Sequence, residues 1–296
     1  MNHAAATRRT VLDLLGLESV DRHRPSAVRR RPLAPAGGVP RERVEIDTPD
    51  GDTIPCLLLS PERPSGVVVI AVHQHGGDFA LGKSEVAGLA GDRANAYGLG
   101  LAQRGATVLA PDLLGFEERR RDWSPDEAAD ERFDALGRVA LGGSLQAKHT
   151  ADVAVLTTWL LEQPQAPATI GIIGHSLGGQ VALFSLAADP RVGEGVISCG
   201  LGTVASFVRD DVRHNPAWFV PGLIAAGDVP AVAAAIQGQR VLALVGTDDP
   251  LFPADGVDAV LAAFAAGACS THRFDGGHVV PPEAVDLAAG HLLGGR

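Results

Sequence analysis

Gly174-His175-Ser176-Leu177-Gly178 sets a serine between two glycines, directly after the aliphatic run 170–173 and directly before a helical pattern. A strand that turns at once into a helix lifts the middle residue above the sheet, and the flanking glycines let the backbone pass close by. Ser176 is therefore the candidate nucleophile. The amide of Leu177, at the head of the helix, is a candidate donor to a developing oxyanion. A serine hydroxyl is a weak nucleophile unless a base takes its proton and a carboxylate orients that base. Both follow in the chain. Gly246-Thr247-Asp248-Asp249-Pro250 comes after the apolar run 241–245, and Phe274-Asp275-Gly276-Gly277-His278 lies near the C-terminus. The order Ser, Asp, His at strand ends predicts Asp249 as the acid and His278 as the base, with Asp248 left to cap the helix that begins near Pro253. The glycine-bearing turn His73-Gln74-His75-Gly76-Gly77-Asp78 follows the run 67–72. It predicts a second oxyanion donor, the amide of His75 first and that of Gly76 next.

These residues need a scaffold, and the pattern of the chain supplies one. Residues 44–47 and 54–59 flank Pro49-Asp50-Gly51-Asp52, which predicts an antiparallel hairpin. Runs at 67–72, 107–110, 169–173, 192–198 and 241–245 are almost continuously apolar, as expected of parallel strands buried on both faces. Helical patterns separate them at 95–104, 145–162, 177–188, 229–236 and 253–266, and a last strand near 270–274 precedes a helix near 282–292. The alternation predicts an α/β class protein, with one doubly wound, mostly parallel sheet and an antiparallel N-terminal hairpin. The expected domains are an N-terminal helix and extended arm over 1–43 and a catalytic domain over 44–296. Two long connections, 113–145 and 200–240, leave the carboxyl ends of strands, where binding sites are built. Trp218 in the second is a candidate pocket residue, with packing against the sheet edge as the alternative. Arg119, after the strand at 107–110, is a candidate clamp for a substrate carboxylate, against a solvated charge run.

At this point the chain resembles an α/β-hydrolase, and more narrowly the dienelactone-hydrolase and acetyl-xylan-esterase-like branch of bacterial serine esterases. The resemblance rests on His73-Gln74-His75-Gly76-Gly77, Leu81-Gly82-Lys83-Ser84-Glu85, Pro111-Asp112, Gly115-Phe116-Glu117-Glu118-Arg119, the Gly174 to Gly178 pentapeptide, the stretch from Gly246 to Pro253, and Gly276-Gly277-His278. It runs from about Val44 to the C-terminus. It implies the α/β-hydrolase fold, with nucleophile, acid and base at Ser176, Asp249 and His278. Gln74 departs from the pattern, since relatives often carry glycine before the oxyanion residue. Ser176 stands where dienelactone hydrolases proper have cysteine, so their substrate is not implied.

The reaction expected of these parts is hydrolysis of a small-molecule carboxylic ester through an acyl-enzyme, without cofactor. Thioesters, lactones or a C–C bond beside a ketone remain open with the same triad. Two other classes compete. A metal-dependent hydrolase would use His73 and His75, two apart on an extended segment, with Asp78 nearby, but the spacing completes no zinc site and no metal is expected. A ligand-binding protein on the same fold would have no need of nucleophile, acid, base and oxyanion turn together. Composition removes further classes. The 35 Asp+Glu against 25 Lys+Arg give a net charge of -10, which argues against nucleic acid or an anionic membrane as partner. No apolar run approaches the 18 residues or so that span a bilayer. The Arg8-Arg9 start faintly resembles an export signal, but Asp13 and Glu18 interrupt the apolar stretch, which predicts an amphipathic helix over 7–17 instead. Cys56, Cys199 and Cys269 are far apart in strand-like contexts and are expected to be reduced, in a cytoplasmic protein.

Overall fold

A computed structural model describes residues 3–294 apart from 122, 165 and 168. In chain order its elements are α1 (His3–Leu14), β1 (Ala27–Ala36), β2 (Val39–Asp47), β3 (Thr53–Leu59), β4 (Val67–Val72), α2 (Lys83–Val86), α3 (Tyr97–Gln103), β5 (Thr107–Pro111) and α4 (Glu127–Ala140). There follow α5 (Leu145–Leu161), β6 (Thr169–His175), α6 (Leu177–Ala188), β7 (Val192–Ser198), α7 (Val204–Arg209), α8 (Asp228–Ala234), β8 (Arg240–Gly246), α9 (Ala254–Ala263), β9 (Cys269–Phe274) and α10 (Ala284–Leu293). The strands form one sheet of order β1-β2-β3-β5-β4-β6-β7-β8-β9. The first three run antiparallel to their neighbours, and β5 to β9 pair in parallel through β4, β6, β7 and β8. This is the α/β-hydrolase arrangement that the sequence predicts. The predicted hairpin is β2 and β3, closed at Asp47 opposite Thr53.

The inner parallel strands β4, β5, β6 and β8 are largely apolar because helices cover both faces, whereas the edge strand β9 is polar and partly exposed. One core gathers Val11 and Leu12 of α1, Leu156 of α5, Leu183 and Phe184 of α6 and Val229 of α8 against Ile70, Ile172 and Ile197. The other packs Tyr97 and Leu101 of α3 and Ala288 and Leu292 of α10 against Val69, Val108 and Leu244. No helix among the described residues is long and apolar enough to cross a membrane. The three cysteines are free thiols, Cys56 and Cys199 buried and Cys269 partly so.

The structure differs from the sequence reading at the N-terminal arm. Residues 27–43 are not an exposed arm but form β1 and the first half of β2, so the boundary expected at 43 falls inside a strand. β1 is an edge strand with most of its side chains exposed, and it carries Pro32 and Pro35, which fit where no second neighbour needs an amide. Its arginines are cross-strand partners: Arg29 pairs with Glu45 and Asp47, and Arg30 with Glu42. The first long connection also contains a helix that the sequence reading lacks. Asp126 caps α4 by accepting from the Ala129 amide, and Glu127 and Asp130 lie in its first turn.

Candidate active site

Strand β6 ends at His175, and α6 starts at Leu177, so Ser176 alone makes the turn. It does so at φ 54° and ψ −117°, a region that costs a non-glycine residue energy and is held only by its surroundings. Its amide donates to Ser198 O at 2.9 Å, and its side chain caps nothing, leaving the hydroxyl free to face outward. The glycines on either side are demanded by close approach. A Cβ on Gly174 would meet the Gly178 carbonyl carbon at 2.1 Å, and one on Gly178 would meet Val72 O at 2.2 Å. Leu177, as the first residue of α6, has no carbonyl within the helix for its amide.

β8 delivers Asp249 and β9 delivers His278 to the same end of the sheet. Asp249 is the carboxylate that meets the histidine: its Oδ2 lies 2.9 Å from His278 Nδ1, and its Oδ1 accepts from the Leu251 amide at 2.9 Å. A carboxylate accepts only, so Nδ1 carries the proton and Nε2 keeps its lone pair. Asp248 is exposed, and α9 is preceded by Pro253 without any side-chain cap, so the capping role expected of Asp248 is not seen. The two loops pass so closely that a Cβ on Gly246 would meet Gly277 O at 2.4 Å. The imidazole of His278 is stacked on Phe252, ring centres 5.5 Å apart, and lies 4.8 Å from the ring of His175. Burial, with the nearby His278 next, pushes the His175 pKa down to about 3, so it is neutral beside the base. Its Nδ1 meets Ser198 Oγ at 3.0 Å.

Ser176 and His278 line one cavity of about 710 Å³, within the range of small-molecule sites. Gln74, His75, Gly76 and Gly77 form part of the same wall. That turn is held from three directions. His73 is fully buried; its Nε2 accepts from the Leu113 amide at 3.0 Å, which leaves Nδ1 to donate to Gln74 O, and burial drives its pKa down to about 4. Gln74 Nε2 donates to Glu85 Oε1, which also takes Asn95 Nδ2, so the departure from glycine at this position ties the turn to α2. His75 Nδ1 accepts from the Gly77 amide, and its Nε2 donates to Glu131 Oε2 at 3.1 Å. The Gly77 amide is thus occupied, whereas no acceptor among the described residues takes the amides of His75 or Gly76.

The other sequence candidates are placed elsewhere. Arg119 does not reach the cavity. Its side chain is 3% exposed, bound to Asp52 and to Asp152 at 2.9 Å, and its Nη1 donates to Asp112 O. Partners distant in the chain turn it inward, and burial without them would be prohibitive for a guanidinium. Trp218 is buried behind the cavity wall, edge-on to Phe207 and Phe252, and so supports the ring that stacks on His278. His73, His75 and Asp78 do not converge as metal ligands, since the rings of both histidines are spent on the bonds above. Two groups among the described residues do bring three ligand atoms within 4.8 Å of one another. In Asp112, Glu117 and Glu118 the centre is taken by the Lys83 ammonium, at 2.7, 2.6 and 2.6 Å. In Cys199, Asp249 and His278 the last two already share a proton, and burial pushes the Cys199 thiol up to about 12, far from thiolate. The Lys83 cluster gives the Leu81 to Glu85 and Gly115 to Arg119 stretches their purpose: it pins the connection after β5 to α2. Sequence reasoning missed Glu131, Arg132 and Arg213 in the cavity wall. The signal for the first two was the cap Ser124-Pro125-Asp126-Glu127.

Comparison with known proteins places the fold. A family model described as alpha/beta hydrolase fold matches residues 86–237, which include Ser176. The protein YtaP of Bacillus subtilis (strain 168), a hydrolase by name, is 28% identical over 227 residues, 74% of this chain and 73% of its own. Acetyl xylan esterase 1 from Thermoanaerobacterium sp. JW/SL YS485 superposes with a TM-score of 0.68 at 18% identity, covering 99% of this chain and 93% of that one. A cold-adapted esterase from an Arctic intertidal metagenomic library gives a TM-score of 0.61 at 20% identity, covering 88% and 97%. At these identities the solved structures speak to the fold.

Proposed function

The chain belongs to the alpha/beta-hydrolase family, and from that premise we propose that it is a serine hydrolase that cleaves a small-molecule carboxylic ester. The observation that carries this is the cavity shared by Ser176 and His278, with Asp249 Oδ2 2.9 Å behind the imidazole. Hydrolase and esterase names among the relatives support it. Ser176 Oγ attacks the ester carbonyl while His278 Nε2 takes its proton, and Asp249 holds the tautomer and the resulting imidazolium. The carbonyl oxygen becomes an oxyanion, met by the Leu177 amide and by that of His75 or Gly76. Collapse expels the alcohol, which leaves with the proton from His278, and Ser176 is acylated. Water, deprotonated by the same histidine, then releases the acid and restores the serine.

The test is an ester and thioester panel on the protein and on Ser176→Ala, with fluorophosphonate labelling in parallel. Turnover and labelling of the first, with both lost in the folded variant, is the expected outcome. A Ser176→Ala protein that retains full ester turnover refutes the assignment.

A further inference from the structure

The cavity wall contains two cationic side chains, one from each long connection. Arg132 comes from α4, and Arg213 from the segment between α7 and the Pro216–Trp218 turn. α4 packs on that turn, so the two connections meet over the site. Both arginines are exposed, and among the described residues neither has a carboxylate partner. Other arginines, Arg31, Arg63 and Arg138 among them, also lack one, but Arg132 and Arg213 are the two that line the cavity. Their neighbours are tied: Arg120 to Glu127, Arg121 to Asp130 and Asp134, Arg209 to Asp210 and Asp255. The carboxylate in the same wall, Glu131, offsets one of the two charges at most, and it is turned away from the opening. Its Oε2 is bound to His75, and its Oε1 is buried out of solvent contact. The cavity lining therefore carries two cations to one acid, and the cations are the groups at its open face.

We propose that the preferred ester carries an anionic group, a carboxylate or a phosphate, which Arg132 and Arg213 bind at the cavity mouth. The inference rests on the serine-hydrolase reading and specifies its substrate class. Guanidinium groups match such anions in geometry as well as in sign, and a low-dielectric cavity wall strengthens the attraction. A neutral ester of the same size gains none of this. The same sign argues against cationic esters, since Glu131 has no accessible oxygen with which to receive them.

The experiment compares matched esters that differ in charge: mono-4-nitrophenyl glutarate against 4-nitrophenyl valerate for an anionic acyl group, and 4-carboxyphenyl acetate against phenyl acetate for an anionic alcohol. A phosphate-bearing phenyl acetate separates phosphate from carboxylate. The protein, Arg132→Gln/Arg213→Gln and Arg132→Lys/Arg213→Lys are assayed at 20 and 500 mM NaCl. For at least one pair, the anionic-to-neutral ratio of kcat/KM is expected to fall about tenfold or more in the glutamine variant and by clearly less in the lysine variant, which keeps the charge but not the planar fork. Salt is expected to lower the ratio in the wild type and the lysine variant and to leave that of the glutamine variant nearly unchanged. A ratio that is unchanged in the glutamine variant for every pair, with neutral esters turned over, overturns this inference and leaves the hydrolase reading intact. Absence of turnover and of fluorophosphonate labelling in folded wild type overturns both.

Discussion

Replacing Asp249 by Asn isolates the orienting role of the carboxylate, because its surroundings leave the amide no good alternative. Asp249 is 4% exposed and meets two donors, the Leu251 amide at Oδ1 and His278 Nδ1 at Oδ2. A carboxylate satisfies both, whereas an amide accepts on one side only. With the Asn oxygen kept on Leu251, the NH2 faces His278 and forces its proton onto Nε2, the nitrogen that must receive the Ser176 proton. The opposite orientation sets NH2 against the Leu251 N–H in a buried site, at about 1–3 kcal/mol. Loss of the charge that stabilises the imidazolium adds about 1.5–3 kcal/mol. The sum, about 4 kcal/mol or somewhat less, lowers kcat roughly 10³-fold. The assay is kcat for 4-nitrophenyl acetate with thermal unfolding alongside, since the isosteric change is expected to leave the fold in place. Asp248→Asn is the control; its side chain is exposed, and less than a twofold change is expected. A kcat for Asp249→Asn within tenfold of wild type, or a larger loss in Asp248→Asn, refutes the assignment of the acid.

Gly178→Ala places a methyl 2.2 Å from Val72 O and 2.7 Å from His73 O, both main-chain atoms, and is expected to destabilise by about 3 kcal/mol in urea unfolding; a loss below 1 kcal/mol would show that the elbow yields. Glu131→Ala frees the His75 side chain and is expected to lower kcat about tenfold with KM nearly unchanged, while Glu131→Gln, which keeps an acceptor for Nε2, stays within threefold. Equal losses in the two variants would remove Glu131 as a positioning residue for the oxyanion turn. Acid is expected to destabilise the fold above the ordinary range of carboxylate titration. His73, His175 and His214 are held near 4, 3 and 4, chiefly by burial, and His149 lies well below its ordinary value for the same reason. The unfolded chain binds protons below about pH 6.5 that the folded chain refuses, so stability falls as pH drops from 6.5 towards 4, by about 2 kcal/mol per buried histidine at pH 5. Asp112, raised to about 6 by burial, gains a proton in the folded state and opposes this by about 1 kcal/mol. Urea midpoints at pH 7.5 and 5.0 measure the balance, and equal midpoints would contradict it.

What could be read from the sequence followed physical demand. The elbow and the acid loop each need glycine where two backbones nearly touch, and that need is written into Gly174, Gly178 and Gly246. The inner parallel strands are buried on both faces and so appear as apolar runs. β1 lacks that signature because it is an edge strand, and its arginines and prolines imitate a solvated arm. Arg119 was misplaced because its destination is set by Asp52 and Asp152, tens of residues away on other elements. Gln74 has the same character, its side chain explained only by Glu85. Local spacing announces backbone geometry, whereas buried charge pairing depends on the assembled fold.

The bond from Glu131 to His75 gives α4 two tasks at once. The helix supplies part of the wall that a substrate would meet, and it also braces the turn that lines the cavity beside Ser176. Connections of this kind are natural cassettes for altering selectivity, since the sheet that presents Ser176, Asp249 and His278 is built without them. Here the cassette is keyed to the chemistry. A transplanted 113–143 segment would need an acceptor within reach of His75 Nε2 before its new pocket could be put to use.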